Sequence, residues 1–334
     1  MKQAKGGGNA VFVDWLTATE YHPEGGLPLF LDGVQATFDA AGNCRFERAL
    51  AARVVGSYDT SVRVRCDGFR VSLIGNPGRF SRPDNLFNFG WLDTWAKADG
   101  ILEALGLPAF RDRACAVAQS GEQAEGARVS RIDVTGNYAA GSDAQARAVI
   151  RWLSGRSVAR MKRGFAGDES VWFSNTRHML KAYRKGAEMK AHGGMDELIA
   201  YAEGAGIVRV EVELKRRLLG ELGLDEIGNV TDQKLADVFR EQTEVFRAVD
   251  RSEEPDIIAA IPARYRTTAA AWLAGQDIRM MLSNGTLYRQ ARILREYGID
   301  ILEPRNIKQF PVKVRVVELE PLTAPSWYDW KRAA

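Results

Sequence analysis

The chain has 334 residues, 46% apolar and 27% charged, with a net charge of +3. That is long enough for a full core and two or more domains, and too apolar to stay disordered. No run approaches the roughly 18 apolar residues of a membrane-spanning helix. Met1 to Ala10 is Lys- and Gly-rich with no apolar stretch behind it, so no secretion signal is expected. Cys44, Cys66 and Cys115 lack a CxxC spacing, and His22, His178 and His192 lack a metal-ligand spacing, which argues against a disulfide framework and a zinc site. A reducing cytoplasm is expected, with carboxylates holding any metal.

Taken in chain order, residues 1–9 read as a flexible lead-in. Ala10–Thr19 (AVFVDWLTAT) is rich in β-formers and predicts a first strand. Ser61–Cys66 and Phe69–Ile74 predict a hairpin through the Asp67-Gly68 turn. Trp91–Leu105 predicts a helix, with Trp91, Trp95, Ile101, Leu102 and Leu105 on one face. Ala127–Asn137 (ARVSRIDVTGN) alternates, placing Arg131, Asp133 and Thr135 on one strand face and leaving Val129, Ile132 and Val134 for burial. Ser142 can cap a helix to about Leu153. Val158–Arg163, Ser170–Phe173 and His178–Lys185 are short strand candidates, followed by a helix to about Glu203. Ile207–Lys215 (IVRVEVELK) then separates Val208, Val210, Val212 and Leu214 from Arg209, Glu211, Glu213 and Lys215. This order predicts an α+β fold: an antiparallel sheet with a ferredoxin-like (split β-α-β) core over strands 127–215, helices on one face, the other open for a ligand.

A first domain is expected over 10–224 and a mainly helical one over 225–334. Thr231 can cap a helix carrying Leu235, Val238 and Phe239. Trp272–Ile278 and Thr286–Tyr297, broken at Ser283-Asn284-Gly285, outline a helix-turn-helix over 270–298. In it Leu287, Ala291, Leu294 and Tyr297 face inward, while Arg289 and Arg292 are available to DNA. Val312–Leu319 reads as a last strand.

Charge is unevenly spread. Between Arg147 and Lys190 stand eleven Lys/Arg, among them Arg160, Lys162, Arg163, Lys181 and Arg184, against Asp168, Glu169 and Glu188. A second excess spans Arg264 to Glu296. With aromatics interleaved, both suit phosphate contact and base stacking. On the alternating strands, Asp133, Glu211 and Glu213 either hold a hard cation such as Mg²⁺ or Mn²⁺ through oxygens or form cross-strand pairs with Arg131 and Arg209. Tyr183 is either a packing residue or a nucleophile whose phenolate Lys181 and Lys185 favour. Glu188, at a helix start, is a further ligand or a favourable N-terminal charge.

VSRIDVT (129–135), the segment from Trp172 to Glu188 ending AYRKGAE, and IVRVEVELKRRLLGELGL (207–224) resemble the filamentous-phage gene II replication initiators. More distantly they are similar to the Rep_trans rolling-circle initiators of plasmids. Val11–Thr17, Gly75–Phe87, Tyr288–Ile301 and Pro325–Trp330 extend the likeness along most of the chain. The resemblance implies a nicking endonuclease that cuts one strand of a double-stranded origin through a metal-assisted tyrosine, leaves a 3′-OH primer and rejoins the displaced single strand. It places the nucleophile on Tyr183, the motif lysine on Lys185, and metal-binding acids on Asp133 and Glu211, with Glu188 or Glu213 as a third. Arg131, Arg209, Lys181 and Asn85 would meet DNA. It further implies host replication machinery as a partner, no membrane, and the cytoplasm of a bacterial host. Where the family commonly has Gln-Gly-His-Asn, this chain has Arg82-Pro83-Asp84-Asn85, so the histidine is either dispensable or replaced by Asp84. A non-catalytic DNA-binding regulator is the rival reading; an RNA-binding module or a metal-independent tyrosine recombinase fits the paired acids less well.

Overall fold

The structure is a computed structural model and describes residues 11–156, 158–247, 261–273, 276–297, 299–302 and 320–328. The expected lead-in 1–9 and the expected strand Val312–Leu319 lie outside the described residues. Among those described, no helix is long and apolar enough to cross a membrane.

Strand β1 (Val11–Tyr21) is the long β-former run, burying Leu16 and Ala18 while Trp15, Thr17 and Thr19 stay half-buried. β2 (Leu29–Phe30) is brief, and β3 (Val34–Phe38) pairs with β4 (Cys44–Ala49) in a separate exposed hairpin. β5 (Ala52–Val55), β6 (Ser61–Asp67) and β7 (Arg70–Gly75) follow. The β6–β7 turn works as its sequence asks: Asp67 Oδ1 accepts the Phe69 and Arg70 N–H at 3.2 and 2.8 Å, and Gly68 takes φ +92°. Helix α1 (Trp91–Ala104) buries Trp91, Ala98, Ile101 and Leu102. The short α2 (Arg113–Ser120), capped by Asp112, has too little apolar periodicity to be announced by its sequence.

β8 (Arg128–Ala139) leads to α3 (Asp143–Ser154), whose Gln145 N–H donates to the capping Ser142 hydroxyl. β9 (Lys162–Ala166), β10 (Ser170–Ser174) and β11 (His178–Arg184) form a meander. The strand expected over Val158–Arg163 therefore starts later, because 158–161 turn. The single helix expected to Glu203 is two, α4 (Lys185–Ala191) and α5 (Asp196–Gly204), separated where Gly193 adopts φ +67°. β12 (Ile207–Lys215) matches its alternation. α6 (Arg216–Glu221) and α7 (Asp232–Gln242, capped by Thr231) close this part.

The main sheet runs β2-β6-β7-β1-β8-β12-β11-β10-β9, with β5 beside β6 and β13 (Glu320–Leu322) beside β8. β12 is antiparallel to both β8 and β11, which are thus parallel with β12 inserted between them. This is the expected split β-α-β core. One face carries Leu73, Ile132, Val134, Val208, Val210, Val212 and Leu214 into a core shared with α1, α3, α6 and α7. Each such Leu, Ile or Val buried fully contributes on the order of 2 kcal/mol.

Three expectations change. The polar face is not wholly open: α4 and α5 roof one end, where Phe12 and Ile207 pack with Met189, Leu198, Leu86, Phe87 and Tyr328. The boundary expected at 224 does not end the first core, because Leu235, Val238 and Phe239 of α7 belong to it. Nor is 225–334 one helical unit. A separate cluster gathers Ile261, Tyr265, Ile278, Leu287, Ala291 and Leu294, while β13 and Tyr328 pack on the main sheet and its roof. Within that cluster the first helix is Ala263–Leu273 rather than Trp272–Ile278, and the second, Asn284–Leu294, begins after Ser283. Leu287, Ala291 and Leu294 face inward, with Arg289 and Arg292 exposed.

Candidate active site on the polar sheet face

Register places the candidate side chains in rows. Asp133 lies opposite Glu213, Thr135 opposite Glu211, and Asn137 opposite Arg209; on the other flank of β12, Lys181 lies opposite Glu211 and Tyr183 opposite Arg209. Directly opposite residues share a face, so Tyr183, Lys181, Glu211, Glu213, Asp133 and Arg131 all project from the polar side.

Tyr183 donates its hydroxyl hydrogen to Glu211 Oε1 at 2.6 Å. Its side chain is buried, at 6% exposure, beneath Lys181, whose ammonium lies 4.5 Å from the ring centroid. Burial pushes the phenol well above its ordinary range; Arg209 opposes the shift, and Glu211 adds to it. This reverses the phenolate expectation: the hydroxyl is held neutral and aimed at a carboxylate that can take its proton.

Arg209, expected to meet DNA, is instead fully buried. It donates to Asn137 Oδ1 at 2.9 Å, Asp14 Oδ2 at 3.1 Å, and the carbonyls of Asn85 and Leu86 at 2.6 and 2.5 Å. Burial opposes its charge, yet Tyr183, Asp14 and Glu211 raise its pKa. Its work is to tie the 82–88 loop to β12. Asp14 reaches it through a β-bulge: Val13 faces Val134 and Trp15 faces Asp133, leaving Asp14 as the extra residue of β1. A second bulge leaves Ser130 extra on β8 between Arg131 and Val129, which lets Val129 join the core that Arg131 avoids.

Lys185 is buried at the start of α4 and donates to Glu188 Oε2 at 2.6 Å and Asn85 Oδ1 at 2.8 Å. Burial lowers its pKa to about 8, with Arg209 pushing the same way. Burial resists ionisation of Glu188, but Lys185 and Arg209 carry its pKa below the ordinary value. Arg184, also expected at DNA, is buried and donates to Asp143 Oδ1 at 3.0 and 2.6 Å. Arg163 is half-buried and donates to the Arg156 carbonyl, whereas Arg160 and Lys162 are exposed.

Arg131 grips Asp133 through two bonds of 2.8 and 2.6 Å and lies 3.1 Å from Glu213. Burial pushes the Asp133 carboxyl up to about 6; Arg131 pulls against that shift, and Glu213 and Glu211 add to it. Among the described residues no group of three or more His, Cys, Asp or Glu side chains is placed to hold a metal ion. Asp133 and Glu213 share a guanidinium, Glu211 takes the phenol, and Glu188 takes Lys185. As arranged, these four acids do not fit Mg²⁺ or Mn²⁺. The cross-strand ion pair is the alternative that Arg131 realises.

Asp84 is committed to its own loop. It is buried, accepts the Leu86 N–H at 2.9 Å and accepts the Tyr328 hydroxyl at 2.5 Å, while Arg82 donates to the same phenol at 3.1 Å. It therefore does not stand free in place of the missing histidine. Asp14, Asn137 and Asn88, whose side-chain amide donates to Asp14 Oδ1 at 2.8 Å, were not singled out by the sequence; an isolated acid in the apolar run Val11–Leu16 was the one available signal for Asp14.

Two family models match the chain: the N-terminal model of the replication-associated protein (gene II protein) over residues 30–233 and the C-terminal model of the same protein over 255–333. The replication-associated gene II protein of Enterobacteria phage I2-2 is 24% identical over 346 aligned positions, covering 95% of this chain and 96% of that protein. That of Escherichia phage If1 is 27% identical over 316, covering 80% and 97%. Among solved structures, the rolling circle replication initiator protein from Geobacillus stearothermophilus aligns at 13% identity and a TM-score of 0.33, covering 73% of this chain and 89% of that one. With both halves matched, the chain belongs to the gene II family of replication-associated proteins of filamentous phages.

Proposed function

We propose that the chain initiates rolling-circle DNA replication by nicking one strand of a double-stranded origin and later rejoining the displaced strand. The observation that carries this reading is the Tyr183 hydroxyl held against Glu211 under Lys181. In the first transfer the Tyr183 oxygen forms a bond to the scissile phosphorus as its proton passes to Glu211. The bond from phosphorus to the 3′ oxygen breaks, leaving a free 3′-OH after protonation and a 5′-phosphotyrosine. A neutral phenol at the ordinary pH of a cell is a weak nucleophile, so proton removal has to accompany attack. Lys181, 37% exposed and 3.9 Å from Glu211, can swing onto an arriving phosphate and so uncover the ring. The later attack of a 3′-OH on phosphotyrosine exchanges one diester for another, and the sequence contains no GxxxxGK[ST] nucleotide loop. The helix Asn284–Leu294, with exposed Arg289 and Arg292, supplies a surface for duplex DNA. Host replication enzymes would take over at the 3′-OH.

The test is incubation with supercoiled DNA bearing the cognate origin, in Mg²⁺, Mn²⁺ or EDTA, comparing wild type, Tyr183→Phe and Asp133→Asn. Nicking by wild type that Tyr183→Phe abolishes supports the reading. Nicking that survives Tyr183→Phe removes it, and origin binding without any nicking favours the non-catalytic regulator.

A further inference from the structure

The same polar face carries a second cationic feature on the side away from Tyr183. Across the strands, Arg53 of β5 lies opposite Arg63 of β6, Arg63 opposite Ile74 of β7, and Ile74 opposite Thr17 of β1. Thr17 lies opposite Arg131 of β8, and Arg131 opposite Lys215 of β12. All six side chains project from one face, and five inter-strand steps of about 4.8 Å make the row about 24 Å long. The row borders the one holding Asp133 and Glu213, so it runs from the far strands to the edge of the candidate active site.

Three observations give the row a ligand rather than a folding role. Arg53 and Arg63 are exposed like charges placed directly opposite, an arrangement that costs stability. Among the described residues neither has a carboxylate at salt-bridge distance. Meanwhile Val54, Val62, Val64 and Leu73 supply the packing of these strands from the opposite face, so the arginines are not needed to hold them. Aromatic rings bracket the row on its own face. Trp15 lies one row toward the site, its ring 5.0 Å from the Arg131 guanidinium, and Tyr21, half exposed, lies opposite Arg70 farther out.

We propose that this row is a track for single-stranded DNA, with Arg53 and Arg63 holding phosphates at its outer end and Trp15 and Tyr21 offering faces for bases. The proposal rests on the nicking reading and extends it by stating where the strand leading to Tyr183 lies. A row of this length suits about four nucleotides, at the lower end for single-strand grooves. The pairing of guanidinium groups with half-buried Trp15 and exposed Tyr21 suits an unpaired strand, since stacking needs a free base face.

The experiment measures binding of a labelled single strand of about 20 nucleotides, and of a duplex of the same length, across a salt series by fluorescence anisotropy. Wild type is compared with Arg53→Ala/Arg63→Ala and Arg53→Lys/Arg63→Lys, with thermal melts to check folding. The alanine pair is expected to lower the slope of log affinity against log salt for the single strand by about 1.4, two contacts at about 0.7 each. The lysine pair is expected to restore it. An unchanged slope in the folded alanine pair overturns the track, as does a loss confined to the duplex. Covalent capture of a short oligonucleotide by Tyr183, measured with wild type at saturating oligonucleotide, reads the nicking chemistry separately. Failure of capture in wild type with the slope change intact sinks the chemistry and leaves the track.

Discussion

Tyr183 and Glu211 meet on a diagonal of neighbouring strands: Tyr183 faces Arg209 and Glu211 faces Lys181 in the register, yet the phenol leans across to donate to Glu211 Oε1 at 2.6 Å. A hydroxyl buried this far, with its pKa raised by burial, needs a neighbouring group to accept its proton as it attacks. Glu211→Gln keeps a carbonyl oxygen for the phenol and removes the base. Nicking is expected to fall by about 10² to 10⁴, with thermal stability nearly unchanged. Gel assays of origin plasmid measure the rate, and a wild-type rate in Glu211→Gln would strip this carboxylate of its role as proton acceptor.

Lys185 gives a pH signature. Its pKa in the folded chain is about 8, below the ordinary 10.5, because burial penalises the ammonium. Between these values the unfolded chain binds the proton and the folded chain does not, so this group makes stability rise as pH increases through the window from about 8 to 10.5. The gain is on the order of 3 kcal/mol by the top of the window. Urea midpoints of wild type and Lys185→Met against pH check it: the difference between the two should change through that window, and parallel curves would contradict it.

Arg209→Lys is expected to destabilise by about 3 to 5 kcal/mol, because one ammonium cannot satisfy Asp14, Asn137 and two loop carbonyls in the plane of a guanidinium. Denaturant unfolding measures the loss. A variant of wild-type stability with weakened DNA affinity would instead return Arg209 to the DNA-binding set.

Tyr328→Phe deletes the hydroxyl shared by Asp84 and Arg82. The expected cost is about 1 to 3 kcal/mol, concentrated in the loop, with faster amide exchange at Leu86 and Phe87. Hydrogen exchange resolved by peptide reads this directly; unaltered protection of that loop would show the bond to be dispensable.

Where alternation met a one-sided core, the sequence was readable. β12 and the hairpin through Asp67-Gly68 fall where their side chains place them, because a one-residue slip would bury Glu211 and expose Val210. The polar face was legible as a set of residues but not as a set of partners. Whether Arg209 pairs with solvent or with Asp14 depends on a bulge, and strand periodicity carries no mark of an extra residue. The roof over Phe12 and the use of Asp84 were hidden for a different reason. Both depend on Tyr328, 244 positions from Asp84, and contacts that remote leave no local pattern. Helicity after Leu224 was visible, whereas the allegiance of α7 to the first core was decided by Phe239, whose ring lies 3.1 Å from where a side chain on Gly136 would begin.

The return of β13 to β8 makes the cluster around Leu287 and Leu294 an insertion flanked on both sides by chain belonging to the sheet and its roof, not an appendage hung from one end. Trimming the carboxyl terminus to isolate the sheet-bearing part would therefore strip Tyr328 from Asp84 and slacken the segment that presents Asn85 to Lys185. A minimal form of that part would instead be built by excising the inserted cluster and splicing its flanks, leaving both chain ends in place.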